Sequence, residues 1–185
     1  MVVSGAAGAV GSVAGQITRI KGCRVTGITG SAEKAAHRRK LGFDAVANYR
    51  ETPQARKALM KTCPEGIDLY FDNVGGEISD GVMYLINDQA RIVLCRQIAL
   101  YNESRIATGL RLLSQLIVHR ARMEGFIVYD YFRKFVQARQ ELSGWIKAGT
   151  LQYPETITEG FDRIPEAFLG LFHGENTGKQ LVRIF

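Results

Sequence analysis

Three glycines recur at intervals of three near the start of the chain, at positions 5, 8 and 11 of the stretch SGAAGAVGS, residues 4–12. A short β-like run, VVS, precedes them. Residues 12–21 follow with Val13, Ile17 and Ile20 at helical spacing. A small-residue turn from strand into helix is suited to holding an anion. The missing side chains let a phosphate approach the backbone, and the helix start at Gly11 and Ser12 directs unpaired N–H groups toward it. Glycines also make ordinary tight turns, and G-x-x-G-x-x-G departs from the G-x-G-x-x-G of most dinucleotide sites. The expectation of a pyrophosphate therefore rests on the position of the loop, after a strand and at the head of further β/α units.

The second chemically informative stretch lies about twenty residues on. A site for NAD usually ends its second strand with Asp or Glu, which binds the ribose 2'-hydroxyl. Here the strand CRVTGITG, residues 23–30, runs into Ser31 with no carboxylate. Ser31 can donate to a 2'-phosphate, and Lys34, one helical turn later, can pair with it. The pattern predicts NADP rather than NAD. A solvent-facing helix lysine is the plainer reading of Lys34.

The elements that must hold these residues alternate regularly. Strands are predicted at the VVSG run, 23–30, 44–49, 67–76, 90–95 and 125–129. Helices are predicted at 12–21, 31–42, 52–62, 77–86, 104–121 and 130–147. Ser31 is the expected N-cap of the second helix and Gly42 its terminator. Six β/α units imply an α/β, Rossmann-like doubly wound parallel sheet covered on both faces. Residues 151–185 break the pattern with a strand-helix-strand appendage, so the chain divides into a cofactor-binding unit, 1–150, and a C-terminal segment, 151–185. In a sheet of order 3-2-1-4-5-6 the sixth strand is an edge. Its apolar run at Phe126, Ile127 and Val128 predicts pairing with a second copy, a homodimer through 125–129.

Composition narrows the class. Of 185 residues 46% are hydrophobic and 23% charged, ordinary for a soluble globular protein. No apolar run approaches the ~20 residues of a membrane span, and no signal peptide is expected. A net charge of +6 suits an anionic ligand but is too dispersed to indicate nucleic acid. The basic runs HRRK (37–40) and HRAR (119–122) read as solvated helix faces. Cys23, Cys63 and Cys95 lack any C-x-x-C spacing and read as reduced, mostly buried thiols of a cytoplasmic protein. His37, His119 and His173 are scattered among them, so no metal site is expected.

The stretches GAAGAVGSVAGQ, GSAEK, LGFDAVANY, YFDNVGG, CRQIALYN and ENTGKQLV occur in this order along the whole chain. Together they resemble the medium-chain dehydrogenase/reductase superfamily, and within it the zinc-free leukotriene B4 12-hydroxydehydrogenase/prostaglandin reductase branch. That branch reduces the double bond of α,β-unsaturated ketones and aldehydes with NADPH. The resemblance implies that Gly8, Ala9, Val10 and Gly11 hold the pyrophosphate, and Lys34 and Tyr49 the 2'-phosphate. It implies that Asn73 contacts the cofactor, that Cys95 to Tyr101 line its nicotinamide half with Phe126, Ile127 and Val128, and that Asn176 reaches in from the tail. It also implies a catalytic domain ahead of the loop, which makes this chain the cofactor half of a two-domain enzyme, inactive alone. Two features depart from the branch: Arg96 follows Cys95 where a glycine is usual, and residues 102–121 lack the usual prolines.

The implied reaction delivers hydride to the β-carbon of an enone or enal, and the developing enolate oxygen needs a donor. Tyr101 is the candidate on this chain. A cofactor ribose hydroxyl is the alternative, with Tyr101 then only orienting the nicotinamide. Two other readings stay open: a quinone oxidoreductase of the same superfamily, and a non-catalytic NADP-binding module. A short-chain dehydrogenase is excluded by the absence of any Tyr-x-x-x-Lys.

Overall fold

The computed structural model describes residues 1–51, 55–105 and 108–185. Six parallel strands form one sheet in the order β3-β2-β1-β4-β5-β6. They are β1 (Val2–Val3), β2 (Thr26–Thr29), β3 (Ala45–Asn48), β4 (Ile67–Asp72), β5 (Ile86–Leu94) and β6 (Arg122–Gly125). The intervening helices are α1 (Ala9–Ile20), α2 (Ala32–Lys40), α3 (Ala55–Thr62), α4 (Gly76–Met83) and α5 (Ser114–Val118). Then come α6 (Phe135–Lys147), β7 (Glu155–Glu159), α7 (Ile164–His173) and β8 (Lys179–Arg183). β7 and β8 pair in parallel as a separate two-stranded sheet. The central strands are apolar on both faces, as a sheet covered on both sides requires. One cluster centres on Val2, Ile28, Tyr70 and Ile92, the other on Val3, Ala6, Val25 and Phe43. The strand order is the expected one, and the reversal between β1 and β4 places a crevice at the carboxyl ends of those strands.

Local signals set most boundaries. Ser31 caps α2, its Oγ accepting from the Lys34 N–H at 3.2 Å, and Gly42 leaves that helix at φ +87°. The first helix starts earlier than expected, at Ala9 after the N-cap Gly8. β5 starts earlier too, at Ile86, with an irregularity where Gln89 adopts φ +63°. The start of the third predicted helix, residues 52–54, lies outside the described residues.

Two predicted elements need correction. The sixth strand is not 125–129 but Arg122–Gly125, paired with Arg91–Leu94. Beyond Leu94 the chain leaves the ladder, because the Cys95 and Arg96 N–H groups both donate to the Asp72 carbonyl. Phe126, Ile127 and Val128 thus have no strand beside them, and a 3₁₀ segment begins at Val128. The edge itself carries an Arg122–Glu124 ion pair at 2.8 Å, so it is not the bare apolar edge on which the homodimer expectation rested. The helix predicted over 104–121 shrinks to α5. Leu110, Leu113 and Ile117 are exposed, whereas Leu112 and Leu116 pack on the core. The spacing of Ile106, Leu110, Leu113 and Ile117 predicts that they form the buried face; the last three instead face outward, and Ile106 lies outside the described residues.

Two readings of composition change as well. Cys23 is exposed and Cys95 half-buried, leaving only Cys63 buried. Within HRRK, Arg38 is completely buried rather than solvated.

Candidate functional site

The site is built from the glycine loop upward. Ala6 N–H donates to the Ile28 carbonyl, tying the loop to β2, and Gly8 N–H turns back to the Gly5 carbonyl at 3.0 Å. Gly5 takes φ +58°, and a Cβ on Gly11 would stand 2.4 Å from the Gly5 oxygen. Here glycine is required for the close approach of two backbone segments. Among the described residues the N–H groups of Val10 and Gly11 have no acceptor, while that of Ala9 faces the Gly178 carbonyl across the Gly8–Gly178 bridge. No acidic side chain occupies the first turn of α1, so these two donors and the positive helix end remain available to an anion.

At the end of β2 a second anion site takes shape. Ser31 Oγ already accepts from Lys34 N–H, and its own proton is free to donate outward. Tyr49 stands against Gly30: a Cβ there would meet the phenol oxygen at 2.7 Å. The Arg50 guanidinium lies 6.0 Å from the Tyr49 ring centre. Burial, then the charges of Arg50 and Arg38, hold the Lys34 ammonium below its ordinary pKa. Such a group gains when an anion arrives. Ser31, which caps the Lys34 N–H, and Tyr49, which stands against Gly30, thus both lie where β2 runs into α2.

The tail closes over this end. Gly178 forms a bridge with Gly8, and its N–H donates to the Ala7 carbonyl at 2.8 Å. The Lys34 ammonium donates to the Gly174 carbonyl. Asn176 is half-buried and spends its amide on the Gly178 carbonyl. Gly178 takes φ +73°, and a Cβ there would lie 1.8 Å from the Pro154 oxygen. The chain reaches the tail through a reciprocal pair in which Gln16 and the Gln152 backbone exchange hydrogen bonds of 2.8 and 2.9 Å.

At the crevice end, the centre is a residue that sequence reasoning missed. The buried Asp72 carboxylate accepts from Ser4 Oγ, Tyr70 Oη, Ser79 Oγ, Gln97 Nε2 and the N–H groups of Val74 and Gly75. Burial and the Asp72 charge hold the Tyr70 phenol well above its ordinary pKa, so it stays a donor. The network fixes Asn73, whose N–H donates to Ser4 Oγ and whose amide donates to the Ser4 carbonyl. The buried Asn73 Oδ1 is left without a partner, a free acceptor at the crevice. An acid followed by an amide at the end of an apolar run was the available signal for this hub.

Residues 95–101 pack beside it, with Ile98 and Ala99 N–H groups donating to the Asn73 and Val74 carbonyls. Cys95 is half-buried there, and burial lifts its thiol pKa against the opposing pull of Arg96. Arg96 itself is exposed. Tyr101 follows a 3₁₀ turn and is 59% exposed. Phe126 joins the group through its ring, 6.4 Å from that of Phe71. Ile127 and Val128 are exposed. Among the described residues no three His, Cys, Asp or Glu side chains come together as a metal site.

Known proteins are similar to this chain. The Bacillus subtilis protein YfmJ is 54% identical over 100% of the chain and 55% of its own length. Mouse prostaglandin reductase 1 is 44% identical over 99% of the chain and 56% of its own length. The chain thus spans about half the length of the curated relatives it matches. The crystal structure of CurA from Vibrio vulnificus in complex with NADPH superposes with a TM-score of 0.93 at 40% identity, covering 100% of this chain and 56% of that one. The family described as zinc-binding dehydrogenase matches residues 9–144, from the start of α1 to the last turn of α6, and it is to this family that the chain belongs.

Proposed function

We propose that this chain holds NADPH for the reduction of the C=C bond of α,β-unsaturated ketones and aldehydes. The observation that carries the proposal is the pairing of two features: acceptor-free N–H groups at Val10 and Gly11 in the first turn of α1, and Lys34 at a β2 end that lacks an acid. The relative named prostaglandin reductase 1 and the NADPH complex of CurA support the same reading. When bound, NADPH supplies the hydride. The chain's own residues orient it. Gly8, Ala9, Val10 and Gly11 receive the pyrophosphate, and Ser31, Lys34 and Tyr49 the 2'-phosphate. Asn73, Cys95 and the backbone of Phe126–Val128 border the nicotinamide end, while Asn176 holds the tail loop against the cofactor. Tyr101, unencumbered at the rim, donates its proton toward the enolate oxygen. The family's name implies zinc. The described residues present no ligand set for it, and no step here runs through a metal.

In the same reading, residues 1–150 are the cofactor unit and 151–185 a segment that also contacts the rest of a longer enzyme. Turnover needs groups beyond these 185 residues. The whole enzyme is cytoplasmic.

A fluorescence titration with NADPH and NADH tests the assignment. Lys34→Ala should weaken NADPH by roughly 1.5–3 kcal/mol, the range for a hydrogen bond to a charged group, and leave NADH unchanged. Equal weakening of both would remove Lys34 from the 2'-phosphate.

A further inference from the structure

Arg38 is the largest side chain that the protein buries completely. It stands on α2 one turn past Lys34, and its Nη1 donates to the carbonyl of Ala6 in the glycine loop at 3.4 Å. Its Nη2 lies 2.6 Å from His37 Nδ1. Burial, then the Arg38 charge itself, keeps the His37 imidazole below its ordinary pKa, so the ring is a neutral acceptor and not a counter-ion. Nε has no partner at all. Among the described residues no carboxylate lies within ion-pair distance of this guanidinium. The environment resists the charge, pulling the Arg38 pKa down to about 10 through burial.

A cation buried without a counter-ion opposes folding, and an apolar side chain of similar length would avoid that penalty. Apart from neutral His37, the guanidinium bonds only the glycine-loop backbone, the turn that leads into the free Val10 and Gly11 N–H groups. An anion on that turn would supply the missing negative charge across a medium that screens poorly. We propose that Arg38 is a positioning residue for the pyrophosphate: it fixes the Ala6 turn from behind and leaves a positive charge that only a bound dinucleotide neutralises. The inference rests on the dinucleotide reading above. It makes part of the cofactor's affinity a release of electrostatic stress stored in the empty protein.

The experiment compares this chain with Arg38→Met and Arg38→Lys, measuring the thermal midpoint without ligand and the Kd for NADPH and NADH. Arg38→Met should melt at or above the parent yet bind both dinucleotides about tenfold more weakly, a difference of about 1.4 kcal/mol. The loss is shared because both ligands carry the pyrophosphate. Lys34→Ala, by contrast, spares NADH. Arg38→Lys, which keeps the charge, should remain within about threefold of the parent for both ligands. A lower midpoint or failure to fold in Arg38→Met would make Arg38 a structural prop and overturn the inference. Unchanged affinity, a loss confined to NADPH, or a lysine variant as weak as the methionine one would overturn it equally. If the parent bound neither dinucleotide, the functional proposal would fall first and this one with it.

Discussion

Replacing Asp72 gives the sharpest test of how the crevice is held. Its Oδ1 receives Ser4 Oγ at 3.0 Å, Tyr70 Oη at 2.8 Å, and the N–H groups of Val74 and Gly75 at 3.0 and 2.9 Å. Its Oδ2 receives Ser79 Oγ at 2.6 Å and Gln97 Nε2 at 2.9 Å. In Asp72→Ala some donors find each other. Tyr70 and Ser79 already stand 3.0 Å apart, and Val74 N–H keeps Ser4 Oγ at 3.2 Å. Gly75 N–H and the Gln97 amide are stranded. Losing the charge-assisted bonds and leaving these donors unpaired should cost about 3–5 kcal/mol. At roughly 2–4 °C per kcal/mol for a chain of this size, the melting temperature should fall by about 6–20 °C. Asp72→Asn is different. The four donors on Oδ1 keep their oxygen. The two on the other side are a rotatable hydroxyl and a flippable amide, and each can turn from donor to acceptor. Only charge assistance is lost, about 1–2 kcal/mol. Urea denaturation of the three proteins measures the difference. If Asn proved as damaging as Ala, the convertibility of Ser79 and Gln97 would be wrong. If neither variant lost stability, the carboxylate would not be the hub.

Two further outcomes follow from contact geometry. Gly11→Ala would drive a Cβ to 2.4 Å from the Gly5 oxygen and should cost about 1–3 kcal/mol as well as dinucleotide binding. Gly144→Ala in α6, where a Cβ meets nothing within 4 Å, should gain roughly 0.5–1 kcal/mol; calorimetry that showed the two equivalent would contradict the cradle. With a thiol reagent at neutral pH, exposed Cys23 should react first, Cys95 slowly, and Cys63 only on unfolding. Burial raises the Cys95 pKa, so less thiolate is present at neutral pH and its rate should climb as pH rises. A Cys95 as fast as Cys23 would place it outside the crevice.

The legible parts of this protein were those governed by neighbours in sequence. The Ser31 cap, the Gly42 stop, the loop glycines and the strand order all follow from local pattern and handedness. Asp72 was missed because, Tyr70 of its own strand apart, the side chains that bond it come from Ser4 just after β1, from α4 and from the 95–101 turn, and no spacing along the chain shows that convergence. Arg38 was misjudged for a related reason. Basic runs are usually solvated, and only the packing of α2 against the loop decides which of four consecutive basic residues goes inside. The end of β6 was misplaced because Phe126–Val128 has strong β propensity, while pairing depends on where β5 turns away. Propensity proposes a strand, but a ladder needs a partner.

The contact between Gly8 and Gly178 also bears on how the protein is made. The glycine loop at residues 5–11 is closed by a segment about 170 residues later, through Gly178 N–H on Ala7 and Lys34 on the Gly174 carbonyl. On the ribosome the β/α units can form in turn as they emerge. The cradle cannot: it stays open on one side until residue 178 has been synthesised and has travelled back to the first turn. Such distant pairings close slowly. Completion of the loop is thereby deferred until the 174–178 segment has been made, and a nascent chain halted before it would present a finished sheet with the loop still open.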